Sequence, residues 1–287
     1  MKKVLAVIVT YNRLSDLKEC LKHVRQQSFK DFDILVVNNG STDGTREFLE
    51  EEKDLLVINQ ENLGGSGGFY AGEKYALDNG YEWVWLMDDD GIPVPNQLEN
   101  LFIFQNKHPE AKVLNALVVD KESRNQLSFM FGDWDYAKTQ TVECVNIVSP
   151  YNGTLIHRSV MEDVGLTKKE MFIWGDEIEY IMRIAKAGYQ VYTPTNVIHY
   201  HPKERSKTDI VLPHIINKKI LVKPKKFSKY YYRNQGYIHQ IYHRTKWYQG
   251  LKPMFYYAIY YLRKLDFSET FKVVKYYIKG LNFDFEG

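Results

Sequence analysis

The chain has 287 residues, of which 44% are hydrophobic and 26% charged, a composition that supports a folded core and excludes a disordered protein. Its two cysteines, Cys20 and Cys144, exclude a disulfide-stapled scaffold and a C-x-x-C zinc site. No run of 18 apolar residues occurs, so the sequence predicts no transmembrane helix.

The net charge of +2 is unevenly distributed along the chain. Residues 202–287 contain 18 Lys and Arg against 6 Asp and Glu, a net charge of +12, which leaves 20 against 30, or −10, for residues 1–201. Such a division of charge indicates that the two parts of the chain face different partners. We expect an α/β domain at 1–205 and a basic, aromatic-rich helical region at 206–287.

The first ninety residues alternate between strand and helix patterns. Two β-branched runs, 4–10 and 32–38, flank a segment whose apolar residues from Leu14 to Val24 recur at helical spacing. The alternation continues with a helix at 43–52, a strand at 55–60, a glycine-rich loop, a helix at 69–79 and a strand at 83–87. This order predicts a parallel sheet covered by helices.

The pattern loosens after Pro109. Mixed strands are expected within 112–120 and 144–157, followed by a helix from Glu177 to Lys186. Beyond Pro202 the apolar residues recur at helical rather than alternating spacing, which predicts helices to the end of the chain.

Four polar segments follow the four N-terminal strands. They are TYNR (10–13), NNGSTD (38–43), ENLGGSGG (61–68) and DDDG (88–91). Because ligands of open parallel sheets bind at the carboxyl ends of the strands, we expect these segments to form one site.

The three consecutive aspartates indicate a divalent metal site. If the strand remains extended, Asp88 and Asp90 point to one side and Asp89 points elsewhere. Oxygen ligands suit Mg²⁺ or Mn²⁺, and a bound cation cancels the repulsion between the carboxylates and can accept diphosphate oxygens. A solvated acidic turn is the alternative interpretation.

Three further motifs each have a functional and a structural interpretation. NLGGSGG can place backbone N–H groups and the start of a helix near Phe69 against a phosphate, or it can be a tight turn. In WGDEIEYIMR the acids can stabilise a helix dipole, or Trp174 can stack on a sugar beside a carboxylate that acts as a general base. In IHYHP, His199 and His201 face one side of a strand, where a histidine is either a metal ligand or structural.

Together these segments resemble a family 2 glycosyltransferase with the GT-A fold, from the bacterial galactofuranosyl- and rhamnosyltransferase branch. The resemblance rests on six motifs in order, and it covers residues 1 to about 201. The motifs are IVTYNR, VVNNGSTDGT, NLGGSGG, WLMDDD, WGDEIEYIMR and HYHP.

The resemblance implies a role for each matched residue. For the nucleotide-sugar donor, the implied contacts are Thr10, Tyr11, Arg13, Asn38 at the base, Asn62, Gly64, Gly65 and Asp89. For Mn²⁺ or Mg²⁺, the implied ligands are Asp88, Asp90 and His201. The implied catalytic base is Glu177, with Asp176 as its acidic neighbour, and Trp174 would hold the acceptor sugar.

The resemblance implies an inverting, metal-dependent transfer of a sugar to a hydroxyl of a growing, lipid-linked polysaccharide of the cell envelope, such as a capsule. It favours UDP-galactofuranose as donor, with dTDP-rhamnose as the alternative, since Asn38 replaces the usual Asp and leaves the base open. A sugar nucleotidyltransferase is a more remote alternative, because TYNRLSD lacks the glycine-rich, basic signature of that class.

The C-terminal region interleaves lysine and arginine with tyrosine and tryptophan, as in KPKKFSKYYYRN (223–234). Such segments suit an anionic membrane surface, which predicts a cytoplasmic protein held peripherally on the inner face of the membrane. A helical bundle that caps the catalytic domain or forms a homo-oligomer is the alternative. A nucleic-acid partner is not expected, since it leaves the aspartate cluster unexplained.

Overall fold

The computed structural model describes residues 4–129, 134–203, 207–243 and 247–285. The chain divides into two compact units. The first, here called the sheet unit, contains residues 1–169 and 180–204, and the second, the helical unit, contains residues 170–179 and 205–287. The division near 205 lies close to the predicted boundary, but residues 170–179, which include Glu177, group with the C-terminal region.

A mixed eight-stranded sheet forms the centre of the sheet unit. Its strands are β1 (Val4–Thr10), β2 (Phe32–Asn38), β3 (Leu55–Asn59), β4 (Trp83–Asp88), β6 (Val113–Leu114), β8 (Cys144–Val145), β9 (Asn152–His157) and β10 (Val191–Pro194). They lie in the order β3-β2-β1-β4-β9-β6-β10-β8. The first four pair in parallel and β9 is antiparallel to β4 and β6, so the predicted mainly parallel, mixed sheet of the GT-A fold is confirmed.

A small second sheet contains β5 (Ile92–Pro93), β7 (Leu117–Asp120) and β11 (Ile198–His201), with β11 in the middle. The helices of this part of the chain are α1 (Leu14–Arg25), α2 (Thr45–Glu51), α3 (Gly64–Asp78), α4 (Gln97–Lys107), α5 (Tyr136–Thr139), α6 (Arg158–Val164) and α7 (Asp176–Lys186). Helix α7 begins in the helical unit and continues in the sheet unit.

Strand β1 is buried along its whole length because helices cover both faces of the sheet. Its alternate side chains join two separate cores. Val4, Ala6 and Ile8 pack with α1 and α4 residues, whereas Leu5, Val7 and Val9 pack with α3 residues. This two-sided burial explains why the strand is a continuous apolar run in the sequence.

Helix α3 begins at Gly64 rather than near Phe69, because the glycines serve close packing. A Cβ atom at Gly68 would lie 2.4 Å from Val9 Cγ1, and one at Gly72 would lie 2.3 Å from Val7 Cγ1. Most of the segment that was predicted to be a loop is therefore the first turns of a helix that lies against β1.

The helical unit contains a β-hairpin and three long helices. They are β12 (Thr208–Leu212), β13 (Ile216–Leu221), α8 (Ser228–Tyr242), α9 (Trp247–Arg263) and α10 (Phe267–Leu281). The hairpin was not predicted, because half of β13, INKKIL, is polar and only Ile220 in it is buried. No helix among the described residues is both long and apolar enough to cross a membrane.

Tyrosines dominate the core of the helical unit. Two of their hydroxyl groups have partners at the edge of this core. Tyr257 donates to the Leu221 carbonyl (2.5 Å) and Tyr260 donates to Asp209 (3.1 Å). Such hydrogen bonds offset the cost of burying a tyrosine hydroxyl.

Candidate functional site

Asp88, Asp90 and His201 form a cluster at the carboxyl end of β4. One potential ligand atom from each residue lies within 4.8 Å of those of the other two. His201 Nε2 lies 3.1 Å from Asp90 Oδ1, and all three side chains are partly buried. The acidic segment and the late histidine, which the sequence analysis paired, are therefore brought together.

The pairing of β11 explains why His201 reaches the aspartates. β11 is antiparallel to β5, with His199 opposite Pro93 and Tyr200 opposite Ile92. When this register is continued by one residue, His201 lies opposite Gly91, which follows Asp90. The His201 carbonyl is fixed by hydrogen bonds from Ser128 Oγ (2.9 Å) and from the Lys121 N–H (3.0 Å).

The aspartates converge through a turn and not through an extended strand. β4 ends at Asp88, whose carbonyl accepts a hydrogen bond from the Gly91 N–H (3.2 Å). Asp89 Oδ2 accepts from Thr10 Oγ1 (2.7 Å), whereas its Oδ1 lies 3.3 Å from the Arg13 nitrogen that also contacts Asp90. Asp89 is therefore outside the group formed with His201, as the sequence analysis expected, but it remains linked to Asp90 through Arg13.

Crowding of negative charge perturbs these carboxyl groups. Burial, with the Asp90 charge in addition, raises the pKa of Asp88. Burial also acts to raise the pKa of Asp90, but the hydrogen bond and charge of His201, together with Arg13, outweigh it and lower that pKa. Burial acts to lower the pKa of His201, and its contacts with Asp90 outweigh this and raise it. A cation at this position would relieve the repulsion.

The donor set fits a divalent metal ion. His201 Nδ1 lies 2.7 Å from the Pro202 carbonyl oxygen, so this nitrogen donates its proton there, and Nε2 is the nitrogen that faces the carboxylates. A second hydrogen bond of this kind orients metal-binding histidines in proteins. Two carboxylates and one imidazole are ligands that suit Mn²⁺ and Mg²⁺.

Arg13 links the cluster of Asp88, Asp90 and His201 to the loop after β1. Its Nη1 lies 2.6 Å from Asp90 Oδ2 and 3.3 Å from Asp89 Oδ1, and the side chain is half-exposed. Thr10 is buried against Asp89, whereas Tyr11 is exposed. Of the residues expected after β1, Arg13 and Tyr11 therefore offer surface to a ligand, and Thr10 fixes Asp89.

The other expected donor contacts follow β2 and β3. Asn38 is 2% exposed, and it donates from Nδ2 to Asn59 Oδ1 (2.8 Å) and accepts at Oδ1 from the Ser41 N–H (3.1 Å). Asn62 Oδ1 accepts from the Gly64 N–H (2.9 Å) at the start of α3. A Cβ atom at Gly65 would meet nothing within 4 Å, so the backbone here borders open space.

Sequence analysis missed the role of Asn39. This buried side chain donates from Nδ2 to the Gly64 carbonyl (2.8 Å). Its Oδ1 accepts from Gln60 Nε2 (2.8 Å) and from the Leu63 N–H (3.1 Å). Asn39 thus joins the loop after β2 to the start of α3, and the only signal in the sequence is a second asparagine directly after a buried strand.

His199 is separate from the acidic cluster. It is fully buried, and its Nδ1 lies 3.1 Å from Gln97 Oε1. Burial lowers the pKa of His199 to about 3, so the ring is neutral. A Cβ atom at Gly91 would lie 2.3 Å from its Nε2, so His199 packs closely beneath the turn that follows the aspartates.

Residues 170–179 carry the expected base and acceptor contact. Asp176 is 5% exposed, whereas Glu177 is partly exposed and accepts at Oε2 from the Gly175 N–H (2.8 Å). The Lys223 ammonium group lies 4.8 Å from the centre of the Trp174 ring, so a cation covers one face of that ring. Glu177 is the more accessible of the two acids.

Two α8 side chains hold this segment, and sequence analysis assigned them no such role. Asn234 Nδ2 lies within hydrogen-bonding distance of the carbonyls of Met171 (2.8 Å), Ile173 (3.1 Å) and Trp174 (2.9 Å). Arg233 Nη2 donates to the carbonyls of Glu170 (2.7 Å) and Met171 (3.1 Å). Both side chains are almost completely buried.

Comparison with known proteins gives a consistent assignment. Residues 5–165 match the family model described as Glycosyl transferase family 2. The galactofuranosyltransferase GlfT1 of Mycolicibacterium smegmatis is 29% identical over 252 residues, which cover 82% of this chain and 82% of that protein.

Solved structures share the fold at low identity. TarS from S. aureus aligns with a TM-score of 0.59 and 18% identity over 84% of this chain and 40% of that chain. Its 1–349 fragment in complex with UDP-GlcNAc aligns with a TM-score of 0.55 and 14% identity over 97% of this chain and 92% of that chain. The mannosyltransferase PcManGT from Pyrobaculum calidifontis, in complex with GDP-Man and Mn²⁺, aligns with a TM-score of 0.56 and 18% identity over 96% of this chain and 74% of that chain.

Proposed function

The chain belongs to glycosyl transferase family 2 and is a glycosyltransferase, and on that basis we propose that it transfers galactofuranose from UDP-galactofuranose to a hydroxyl group of a growing polysaccharide. The main support is the cluster of Asp88, Asp90 and His201 at the carboxyl end of a central strand, in a chain that is 29% identical to a galactofuranosyltransferase over 82% of its length.

The donor would be held by residues of the sheet unit. Asp88, Asp90 and His201 would hold Mn²⁺ or Mg²⁺, which when bound neutralises negative charge that develops on the departing diphosphate. The half-exposed Arg13 guanidinium offers a further positive charge to the diphosphate, and the backbone at Gly65 offers an open approach. Tyr11 is exposed beside them and is available to the nucleotide.

Transfer itself would need a base and an oriented acceptor. In the proposed reaction the acceptor oxygen bonds to the anomeric carbon while the bond from that carbon to the diphosphate oxygen breaks on the opposite face, so the configuration inverts. The acceptor proton goes to the Glu177 carboxylate, which is partly exposed, and UDP leaves. Trp174 would orient the acceptor ring.

We also propose a lipid-linked acceptor and a peripheral position on the cytoplasmic face of the membrane. The excess of basic residues over 202–287, 18 against 6 acidic, supports this location. The rhamnosyl alternative stays open because no contact among the described residues selects the base: Asn38, the expected base contact, is 2% exposed and its amide is bonded to Asn59 and Ser41.

A screen of nucleotide sugars tests the proposal. The purified protein is incubated with UDP-galactofuranose, dTDP-rhamnose or GDP-mannose, with Mn²⁺ or with a chelator, and the released nucleoside diphosphate is measured. We expect metal-dependent release of UDP from UDP-galactofuranose. Consumption of dTDP-rhamnose alone would support the rhamnosyl alternative, and formation of pyrophosphate from a nucleoside triphosphate and a sugar phosphate would overturn glycosyl transfer.

A further inference from the structure

The helical unit exposes a regular stripe of large apolar side chains. On α10, Phe267, Phe271, Val274 and Ile278 recur at spacings of four, three and four residues, so they lie on one side of the helix. Phe267 is 65% exposed, Phe271 66% and Ile278 48%. Exposed stripes of this size on a soluble protein usually mark an interaction surface.

The stripe continues through the turn into α9. Leu262 is near the end of α9 and Leu265 is in the turn, and they are 46% and 74% exposed. Leu265 precedes Phe267 by two residues and Leu262 precedes it by five, so both are close to the start of α10 along the chain. We name these six residues the apolar face: Leu262, Leu265, Phe267, Phe271, Val274 and Ile278.

The opposite side of α10 is fixed in the core of the unit, so the stripe is not free to rotate inward. Val273 and Tyr277 are buried in the tyrosine-rich core. A Cβ atom at Gly280 would lie 1.8 Å from the Arg233 carbonyl oxygen, and one at Gly236 would lie 2.1 Å from that of Tyr277. This close contact between α8 and α10 holds the apolar face outward.

Positive charges surround the apolar face. Residues 247–285 contain six Lys and Arg against three Asp and Glu, a net charge of +3. Lys264 and Lys275 are exposed beside the stripe. A symmetric contact between two copies would bring like charges together, whereas an anionic bilayer supplies both opposite charge and an apolar interior.

We propose that the apolar face docks the protein onto a bilayer that contains anionic phospholipids. The phenylalanines, leucines and isoleucine enter the interfacial region, and the lysines reach the headgroup phosphates. The proposal deepens the proposed function, because a lipid-linked acceptor would be presented at this surface, but it is tested without any measurement of activity.

The test is flotation of the full chain with vesicles of phosphatidylglycerol and phosphatidylethanolamine, compared with vesicles of phosphatidylcholine. We expect binding to the anionic vesicles that weakens as salt increases. Ile278→Glu should weaken this binding about tenfold, because it removes apolar area that the bilayer would bury and adds a negative charge that anionic lipids repel. The matched control is Ile103→Glu, an α4 isoleucine that is also 48% exposed and should bind like the parent.

Two results would overturn the proposal. One is equal binding by Ile278→Glu, Ile103→Glu and the parent protein. The other is a parent dimer, detected by light scattering, that Ile278→Glu converts to a monomer while no variant floats with anionic vesicles. If flotation fails while the nucleotide-sugar screen succeeds, only the membrane proposal is lost.

A second, independent observation concerns Asn234. The segment that it contacts contains Phe172 (φ +67°), Trp174 (φ +60°) and Gly175 (φ +104°). Non-glycine residues rarely adopt this region of backbone conformation, at a cost of about 1 kcal/mol or more each. The three carbonyls that face Asn234 Nδ2 come from Met171, Ile173 and Trp174. One fully buried amide group therefore stabilises a strained backbone immediately before Glu177.

We infer that Asn234 is a positioning residue that fixes the backbone from which Glu177 and Trp174 project. This inference rests on the proposed role of Glu177 as the base. Asn234→Ala removes the donor that the three carbonyls share, so the segment relaxes and the base is displaced. Misplacement of a catalytic group by a short distance reduces turnover strongly, and we expect a loss of about 10²-fold in kcat.

The test separates positioning from general stability. With the donor identified by the screen, Asn234→Ala should lose kcat while its affinity for the released nucleoside diphosphate stays within about twofold of the parent value, since the expected donor contacts are in the sheet unit. Gln240→Ala removes another amide from α8, one that is partly exposed, and should behave like the parent. A kcat within about threefold of the parent value, or equal losses of kcat and nucleotide affinity, would overturn the inference.

Should Asn234→Ala fail to fold, Asn234→Ser retains one hydrogen-bond donor and is expected to restore part of kcat. A folded Asn234→Ser variant with the full kcat of the parent would also contradict the inference. Full activity of Glu177→Gln would instead rule out Glu177 as the base. This outcome differs from an Asn234→Ala variant whose kcat equals that of the parent.

Discussion

The two units place their candidate functional residues by different means. In the sheet unit, Arg13, Gly65 and Asp88 all follow the carboxyl ends of neighbouring parallel strands, so sheet topology brings them together. In the helical unit, Glu177 follows a strained segment that a side chain of α8, far along the chain, holds by hydrogen bonds. Regular topology determines the first arrangement, whereas a few specific contacts determine the second.

The largest expected effect tests the helical unit. Glu177→Gln keeps the shape of the side chain but cannot accept a proton, so kcat should fall on the order of 10²- to 10⁴-fold. The affinity for the nucleotide, measured by calorimetry, should be unchanged. The matched variant is Asp176→Asn, which alters the 5% exposed neighbour and should lose less activity. The reverse order of losses would make Asp176 the base.

The next effect tests the sheet unit. Asp90→Ala removes a carboxylate that His201 and Arg13 both contact, and activity should fall about 10³-fold because metal-assisted charge stabilisation is worth several kcal/mol. The affinity for UDP in Mn²⁺ should become equal to that in chelator. Asp78→Ala, at an exposed pair with Lys74, is the control. If UDP binding to Asp90→Ala still depended on Mn²⁺, the metal site would be elsewhere.

A smaller effect distinguishes structural from functional glycines in α3. Gly68→Ala places a methyl group 2.4 Å from Val9 Cγ1 and should reduce the free energy of unfolding by about 1–3 kcal/mol. Gly65→Ala meets no atom within 4 Å and should leave stability equal or slightly higher, while it weakens donor binding. Thermal unfolding and nucleotide titration measure both. Equal stability of the two variants would contradict the close packing of α3 on β1.

The last expected effect is a pH dependence of stability. Glu73 is fully buried and accepts hydrogen bonds from Thr167, and burial raises its pKa from 4.5 to about 7. The folded state therefore holds this proton more tightly than the unfolded state. The associated stability is complete below pH 4.5 and is lost as the pH rises through 7.

Glu73→Gln cannot titrate, so its free energy of unfolding should vary less between pH 4.5 and 8 than that of the parent, by up to about 3 kcal/mol. Denaturant unfolding at several pH values measures the difference. Parallel curves for the two proteins would show that Glu73 has an ordinary pKa in the folded state.

Sequence patterns were sufficient where local rules decide the structure. The β-branched runs 4–10 and 32–38 are strands over the predicted residues, because burial on both faces requires continuous apolar sequence. The convergence of Asp88, Asp90 and His201 was expected only from the family resemblance, because it rests on a register between β5 and β11 that no local pattern contains.

The rest depends on partners that are distant along the chain. The start of α3 at Gly64 depends on contact with Val9 and Val7, and a run of glycines alone favours a loop. The apolar residues of β12 and β13 are mostly consecutive, so the hairpin shows no alternation. The role of Asn234 depends on carbonyl groups, which have no counterpart in the sequence letters.

The path of the chain between the units constrains any attempt to recombine this enzyme with its relatives. Residues 170–179 belong with 205–287, although residues 180–204 separate them along the polypeptide. A chimera with one crossover at 205 would pair Asn234 and Arg233 of one parent with a 170–179 segment of the other. Shuffling that preserves these contacts therefore calls for two inserts, moved as a set.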